Sequence, residues 1–171
     1  NGPFVCNCGR SHTSDVKAVE ISSGALSKLP ELIKELGHRK VFIVADGNTY
    51  AAAGEKVLTY LEARDVLYES FLLNASEVVP DEPTIGSVLM HFDPSCDLII
   101  GVGSGTINDI CRFISHRMGL PYFIVATAPS MDGFASTVAP LITNNLKTTY
   151  AAHVPQAIIA DLDILANAPM P

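Results

Sequence analysis

Apolar and polar positions along this chain switch repeatedly between a period near two and a period near 3.6, the signature of strands alternating with amphipathic helices. Val16 to Ile21 reads as a first strand. The Ser22-Ser23-Gly24 turn then opens a helix over 25–36, with Leu29, Leu32, Ile33 and Leu36 on one face. Ser27 can cap that helix, Pro30 fits its first turn, where a missing N–H costs little, and Gly37 ends it. Lys40 to Ala45 is apolar after its first residue, the pattern of a parallel strand covered on both faces. Asp46-Gly47-Asn48 follows, and then a helix from Thr49 to Ala63 with Val57, Leu58 and Leu61 on one side. Next come a strand over 66–73, a helix over 83–92 with Ile85, Val88 and Leu89 inward, a strand over 97–102, a helix over 106–118 and a strand over 122–127.

This repetition predicts right-handed crossovers and an α/β three-layer sandwich around a mostly parallel, Rossmann-like sheet. After Pro140 the pattern changes: 141–143 and 146–150 flank Asn144-Asn145 as a late β-hairpin, with Asn145 tolerating positive φ. Residues 155–161 supply a last strand, and 162–165 begin the exit from the sheet. The α/β domain is expected to span 1–165, with 166–171 the start of a linker. Asn1 in place of Met, together with the Ala-Asn-Ala-Pro-Met-Pro end, predicts an incomplete polypeptide. There is no internal repeat or low-complexity tract.

Length and composition fit one globular unit: 171 residues, 48% hydrophobic, 17% charged. A formal net charge of -7 argues against general nucleic-acid binding. No apolar run is long enough to insert in a membrane, and the amino end lacks the apolar core of a secretion signal, so a cytoplasmic protein is expected. Cys96 and Cys111 read as small buried hydrophobes, whereas Cys6-Asn7-Cys8 with His12 lacks the second half of a structural zinc site. His12, His38, His91, His116 and His153 form no ligand spacing; His116 reads as a solvent-side helix residue and His153 as a loop residue. Tyr50 and Phe134 fit a groove wall or ordinary core equally well.

Three segments carry candidate chemistry. Gly101-Val102-Gly103-Ser104-Gly105-Thr106 leaves a strand and enters a helix, so backbone N–H groups at Gly103, Ser104 and Gly105 can converge on phosphate oxygens. The spacing is neither G-x-G-x-x-G nor a P-loop. Asp46, ending an earlier strand, can accept hydrogen bonds from an adenosine ribose, or simply close an Asx turn with Gly47. It precedes the glycine turn, the reverse of the usual dinucleotide order. Thr127 to Ser136 contains Pro129, which stops the strand, and Asp132-Gly133, where Asp132 fits a cap as well as a metal ligand.

These residues, with Ile158-Ile159-Ala160-Asp161-Leu162-Asp163-Ile164-Leu165, resemble the amino-terminal domain of glycerol-1-phosphate dehydrogenases. Those enzymes sit in a metal-dependent superfamily with glycerol dehydrogenase, iron-type alcohol dehydrogenases and dehydroquinate synthase. The resemblance implies NAD or NADP laid across the sheet edge, with pyrophosphate on Gly103, Ser104 and Gly105 and ribose near Asp46. Asp109, Thr127 and Ser130 would line the remainder of the cofactor site. It further implies one divalent ion, zinc or nickel, with Asp132 as catalytic metal ligand and the other ligands on an all-helical second domain absent here. The implied reaction reduces a phosphorylated triose, dihydroxyacetone phosphate, to sn-glycerol 1-phosphate; a free polyol is the alternative substrate, a non-catalytic nucleotide-binding module the other reading, and a homo-oligomer is compatible with either. Relatives usually carry Lys where Arg112 stands and often His where Met131 stands.

Overall fold

The computed structural model describes residues 4–9, 11–12, 14–74 and 77–169. A small antiparallel ribbon, β1 (Phe4–Val5) with β2 (Ser11–His12), precedes the domain proper. Then follow β3 (Ala18–Ser22), a 3₁₀ turn (Ala25–Lys28), α1 (Leu29–Glu35) and β4 (Lys40–Asp46). α2 (Gly47–Thr49) runs through a π turn (Tyr50–Gly54) into α3 (Glu55–Glu62), followed by β5 (Leu67–Leu73), α4 (Glu82–His91) and β6 (Leu98–Gly103). The chain ends with α5 (Gly105–Met118), β7 (Tyr122–Ala126), the hairpin β8 (Val138–Thr143) and β9 (Leu146–Ala151), β10 (Ala157–Asp161) and α6 (Leu162–Leu165).

Six strands form one parallel sheet in the order β3-β10-β7-β6-β4-β5. The chain leaves β4 for the edge at β5 and returns to place β6 on the other side of β4. Strand order therefore reverses between β4 and β6, and the crevice beyond their carboxyl ends is where open α/β sheets take ligands. Period-two alternation divides the core. Val41, Ile43, Leu98, Ile100, Val102, Phe123, Val125 and Ile159 face α1 and α3, while Phe42, Val44, Ile99, Ile124 and Ile158 face α4, α5 and the hairpin.

Several expectations shift on folding. The helix over 25–36 is divided, because Pro30 has no N–H to bond the Leu26 carbonyl; the Leu29 N–H takes that carbonyl instead and closes a 3₁₀ turn. Ser27 does not cap: its hydroxyl donates to Gly24 O at 2.8 Å. The buried Asp161 carboxylate accepts from Gly24 N at 3.2 Å and Leu26 N at 3.0 Å, stapling that turn to the end of β10. Leu89 is 43% exposed rather than inward; it lies about 100° round from Val88, and Phe92 makes the closing contact, edge-on to Phe42 at 5.1 Å. The hairpin begins at Val138 and includes Pro140, and both Asn144 (φ 50) and Asn145 (φ 61) adopt the left-handed conformation. His153 sits in a loop yet is half-buried, with Nε2 3.0 Å from Ser115 Oγ.

Candidate cofactor and metal site

β6 enters α5 with no intervening loop. Gly103 is the last strand residue, paired with Ala126, and its carbonyl accepts from Thr127 N at 3.1 Å. A Cβ there would lie 2.6 Å from Ile107 Cβ, so the missing side chain is what lets the first turn of α5 close onto β6. Ser104 is the N-cap, but no side chain caps the helix, and Asn108 N to Ser104 O at 2.9 Å is the first ladder bond. The N–H groups of Gly105, Thr106 and Ile107 thus have no helical carbonyl, at the positive end of a 14-residue helix. At Gly105 a Cβ would meet just Met131 Sδ at 3.4 Å, an ordinary contact, so packing does not require glycine there.

At the end of β4, Asp46 caps α2: Oδ1 accepts from Thr49 N at 2.8 Å, while Thr49 Oγ1 accepts from Asp46 N at 3.0 Å. The local turn expected from Asp46 and Gly47 is therefore present, and it engages one carboxylate oxygen. Asp46 also lines a cleft of about 720 Å³ with Ser104, Thr127, Ser130, Lys56 and Asn167. Gly105 and Asp109 line the neighbouring cleft, about 510 Å³, with Thr106, Pro140 and Lys147. Consecutive residues at the start of α5 border the two clefts, Ser104 the larger and Gly105 the smaller. Gly103 lies buried beneath both.

Asp132 is exposed on the irregular segment between β7 and β8 and lines neither cleft. That segment is held from behind by Arg112, which is 1% exposed. Its Nη2 donates to Gly133 O at 2.6 Å and Phe134 O at 3.2 Å, its Nη1 to Val138 O at 3.0 Å and Asp109 Oδ1 at 2.8 Å, and its Nε to Tyr122 Oη at 3.0 Å. Tyr122 Oη in turn donates to Asn108 Oδ1 at 3.3 Å. Burial raises the Asp109 carboxyl to about 6, with Arg112 and Lys147 opposing the rise. Burial also pushes the Tyr122 phenol up.

Asp132 offers one hard carboxylate oxygen donor, and among the described residues no three His, Cys, Asp or Glu side chains come together to hold an ion. The donor chemistry suits a divalent ion shared with ligands from elsewhere. For the Cys6, Cys8 and His12 grouping, the His12 side chain lies outside the described residues; Cys6 is half-buried, and hydrogen bonding from Cys8 lowers its thiol. Tyr50 packs on the core face with α3, and Phe134 packs beside the α5 face, so neither forms the wall of the larger cleft.

The family model for iron-containing alcohol dehydrogenase matches residues 20–169. The chain belongs to that family. Among curated relatives, the glycerol-1-phosphate dehydrogenase [NAD(P)+] of Halalkalibacterium halodurans is 38% identical over 168 residues, covering 96% of this chain and 42% of that protein. The enzyme of the same description from Geobacillus thermodenitrificans is 37% identical, covering 96% of this chain and 41% of its own length. The chain thus spans about two fifths of these relatives. Solved structures share the fold: alcohol dehydrogenase from Oenococcus oeni superposes with TM-score 0.81 at 20% identity, covering 90% of this chain and 46% of that one. Glycerol dehydrogenase from Schizosaccharomyces pombe gives 0.76 at 21%, covering 90% and 39%. Among the described residues no helix is long and apolar enough to cross a membrane.

Sequence reasoning missed Lys56 and Asn167 on the larger cleft and Lys147 on the smaller, since each stands on an element remote from the glycine turn. Arg112 left a detectable trace: a guanidinium beside the apolar face of Ile107, Ile110, Cys111 and Ile114, three residues after Asp109.

Proposed function

We propose that this chain is the cofactor-binding domain of an NAD(P)-dependent glycerol-1-phosphate dehydrogenase. The observation that carries the reading is the cleft at the strand-order reversal, which joins the Asp46 carboxylate to the uncapped first turn of α5. In this reading Asp46 uses its second oxygen to accept from the adenosine ribose. The N–H groups of Gly105 and Thr106 meet the pyrophosphate, with Gly103 holding the helix close enough for them to do so. Thr127, Ser130 and Asp109 line the path along which the nicotinamide end lies. Family membership and the shared name of the relatives support this assignment.

Asp132 holds one position on a divalent ion, zinc or nickel, whose other ligands come from a carboxyl-terminal helical domain. Such an ion would supply Lewis acidity toward a ketone oxygen. A reduced nicotinamide held along that path would supply the hydride for reduction of dihydroxyacetone phosphate to sn-glycerol 1-phosphate, with one proton taken up and NAD(P)⁺ left as the oxidised product. The segment alone is expected to bind dinucleotide and not to turn over.

The full-length polypeptide tests this directly. It should oxidise sn-glycerol 1-phosphate with NAD⁺ or NADP⁺ in preference to glycerol, and lose a stoichiometric metal ion when Asp132→Ala is made. Faster oxidation of free glycerol would move the assignment to a polyol dehydrogenase. Full metal occupancy in Asp132→Ala would end the ligand role, and failure to bind either dinucleotide would end the enzyme reading in favour of a protein with another cargo.

A further inference from the structure

We infer that Arg112 is a positioning residue: it clamps the turn carrying Asp132 to the body of α5, so that the metal-binding and nucleotide-binding parts of the site keep one mutual geometry. The inference rests on the reading of Asp132 as an ion's ligand. Few hydrogen bonds tie that turn to the rest of the fold. Between Thr127, tied to Gly103 O, and Ser136, tied to Gly133 O within the turn itself, the chain has no regular structure. Among the described residues, the hydrogen bonds that join 128–134 to the rest of the fold are those from Arg112 Nη2 to Gly133 O and Phe134 O. Two apolar contacts accompany them: the Met131 sulfur approaches Gly105 at the start of α5, and Phe134 packs against the core cluster beside α5.

The guanidinium is fully committed. Its five N–H donors meet five acceptors: two carbonyls of the Asp132 turn, the Val138 carbonyl at the start of β8, the Asp109 carboxylate and the Tyr122 hydroxyl. Asp109 belongs to α5, which the glycine turn opens, and Tyr122 to β7, the strand paired with β6, so one planar group spans both halves of the site. Asp109 also supplies the countercharge that a 1%-exposed cation requires. A lysine has three donors on a single atom and no fork, so it cannot reach the Gly133 and Phe134 carbonyls on one side and Asp109 and Val138 on the other. Retaining the charge should therefore not retain the clamp.

The test uses the full-length polypeptide stripped of metal, comparing wild type with Arg112→Lys. Native-state chymotrypsin cleavage after Phe134, followed by mass spectrometry, reads local opening of the turn. Cleavage there should accelerate at least about tenfold in the variant while the Tm of the whole protein moves by only a few degrees. In titrations, Kd for Zn²⁺ or Ni²⁺ should rise about tenfold and Kd for NADH less than about threefold, a split that general destabilisation would not produce. Unchanged cleavage at Phe134, or equal weakening of both ligands, overturns the clamp.

Should Arg112→Lys fail to fold, the wild type alone still decides. In the metal-free wild type, a turn held by Arg112 is cleaved after Phe134 at least about a hundredfold more slowly than in the denatured chain, whereas cleavage near the denatured-chain rate would show that Arg112 does not order it. The Asp132→Ala variant separates this inference from the reading beneath it. Normal metal occupancy there removes the ligand role, while cleavage at Phe134 continues to report on Arg112 independently.

Discussion

The turn from β6 into α5 and the turn that carries Asp132 lie beside one another, yet they are held by opposite means. At the first, the fixing contact is between residues four apart: Gly103 lets Ile107 sit where a Cβ would be 2.6 Å away. At the second, the fixing contact reaches across more than twenty residues, from Arg112 to the carbonyls of Gly133 and Phe134. Local packing alone sets the free amides at the first turn of α5. The Asp132 turn takes its hydrogen bonds to the rest of the fold, among the described residues, from one buried guanidinium. A glycine-rich turn thus announces its geometry in its own sequence, and a carboxylate on an irregular segment does not.

The comparison can be broken most forcefully at its long-range end. Arg112→Met removes the cation, strands Asp109 and leaves three carbonyls without their donor, so it should cost about 3–5 kcal/mol in denaturant unfolding. A loss below about 1 kcal/mol would mean the network is redundant. Gly103→Val attacks the local end by overpacking against Ile107, with an expected loss of about 1–3 kcal/mol. Because the clash is with the helix, weaker NADH binding in that variant should track its loss of folding rather than stand apart from it.

Gly105→Ala sharpens the contrast, since a methyl group there meets no obstacle beyond Met131 and alanine favours a helix. Unfolding stability should hold or rise by up to about 1 kcal/mol while the Kd for NADH rises several-fold. Unchanged NADH binding would show that the pyrophosphate does not approach this amide. Stability and binding therefore part company at Gly105 and move together at Gly103.

The smallest effect is on pH dependence. Asp109 is raised to about 6 in the fold, above the ordinary carboxylate near 3.9, so its contribution is fully present below about pH 4 and is lost as pH rises through 6. Asp93 behaves oppositely: the Lys40 ammonium, hydrogen-bonded at 2.6 Å, lowers it to about 2, so its contribution is present above about pH 4 and disappears as pH falls through 2. Thermal unfolding should show a shallow fall between pH 4 and 6 that is flattened in Asp109→Asn. The low-pH fall should remain in that variant, and a 4–6 slope that survives the substitution would assign it to other groups.

Most strands were legible because a parallel sheet covered on both faces demands continuous apolar runs, and β4, β6 and β7 satisfy that demand residue by residue. The hairpin starts before Pro140, earlier than the pattern from 141 onward predicts. A two-stranded ribbon leaves one side of each strand unpaired, so a residue without an N–H fits there, opposite Thr149. Leu89 departs from the expected inward position for a related reason: periodicity marks an apolar stripe without telling which rim of it the sheet will cover. Asp46 was legible as a turn-former and as a cleft residue, and the fold makes it both, since the cap engages one oxygen.

By itself the sequence determined the alternation of strands and helices, the apolar division of the sheet into two faces and the glycine turn, because each depends on residues within a few positions of one another. Tertiary structure alone decided that strand order reverses between β4 and β6, that Asp46 and Ser104 share a cleft, and that Arg112 spends all its donors behind Asp132. The physical reason is range. Backbone preference and hydrophobic period act along the chain, whereas a buried guanidinium finds its acceptors only after distant segments have been brought within about 3 Å of it.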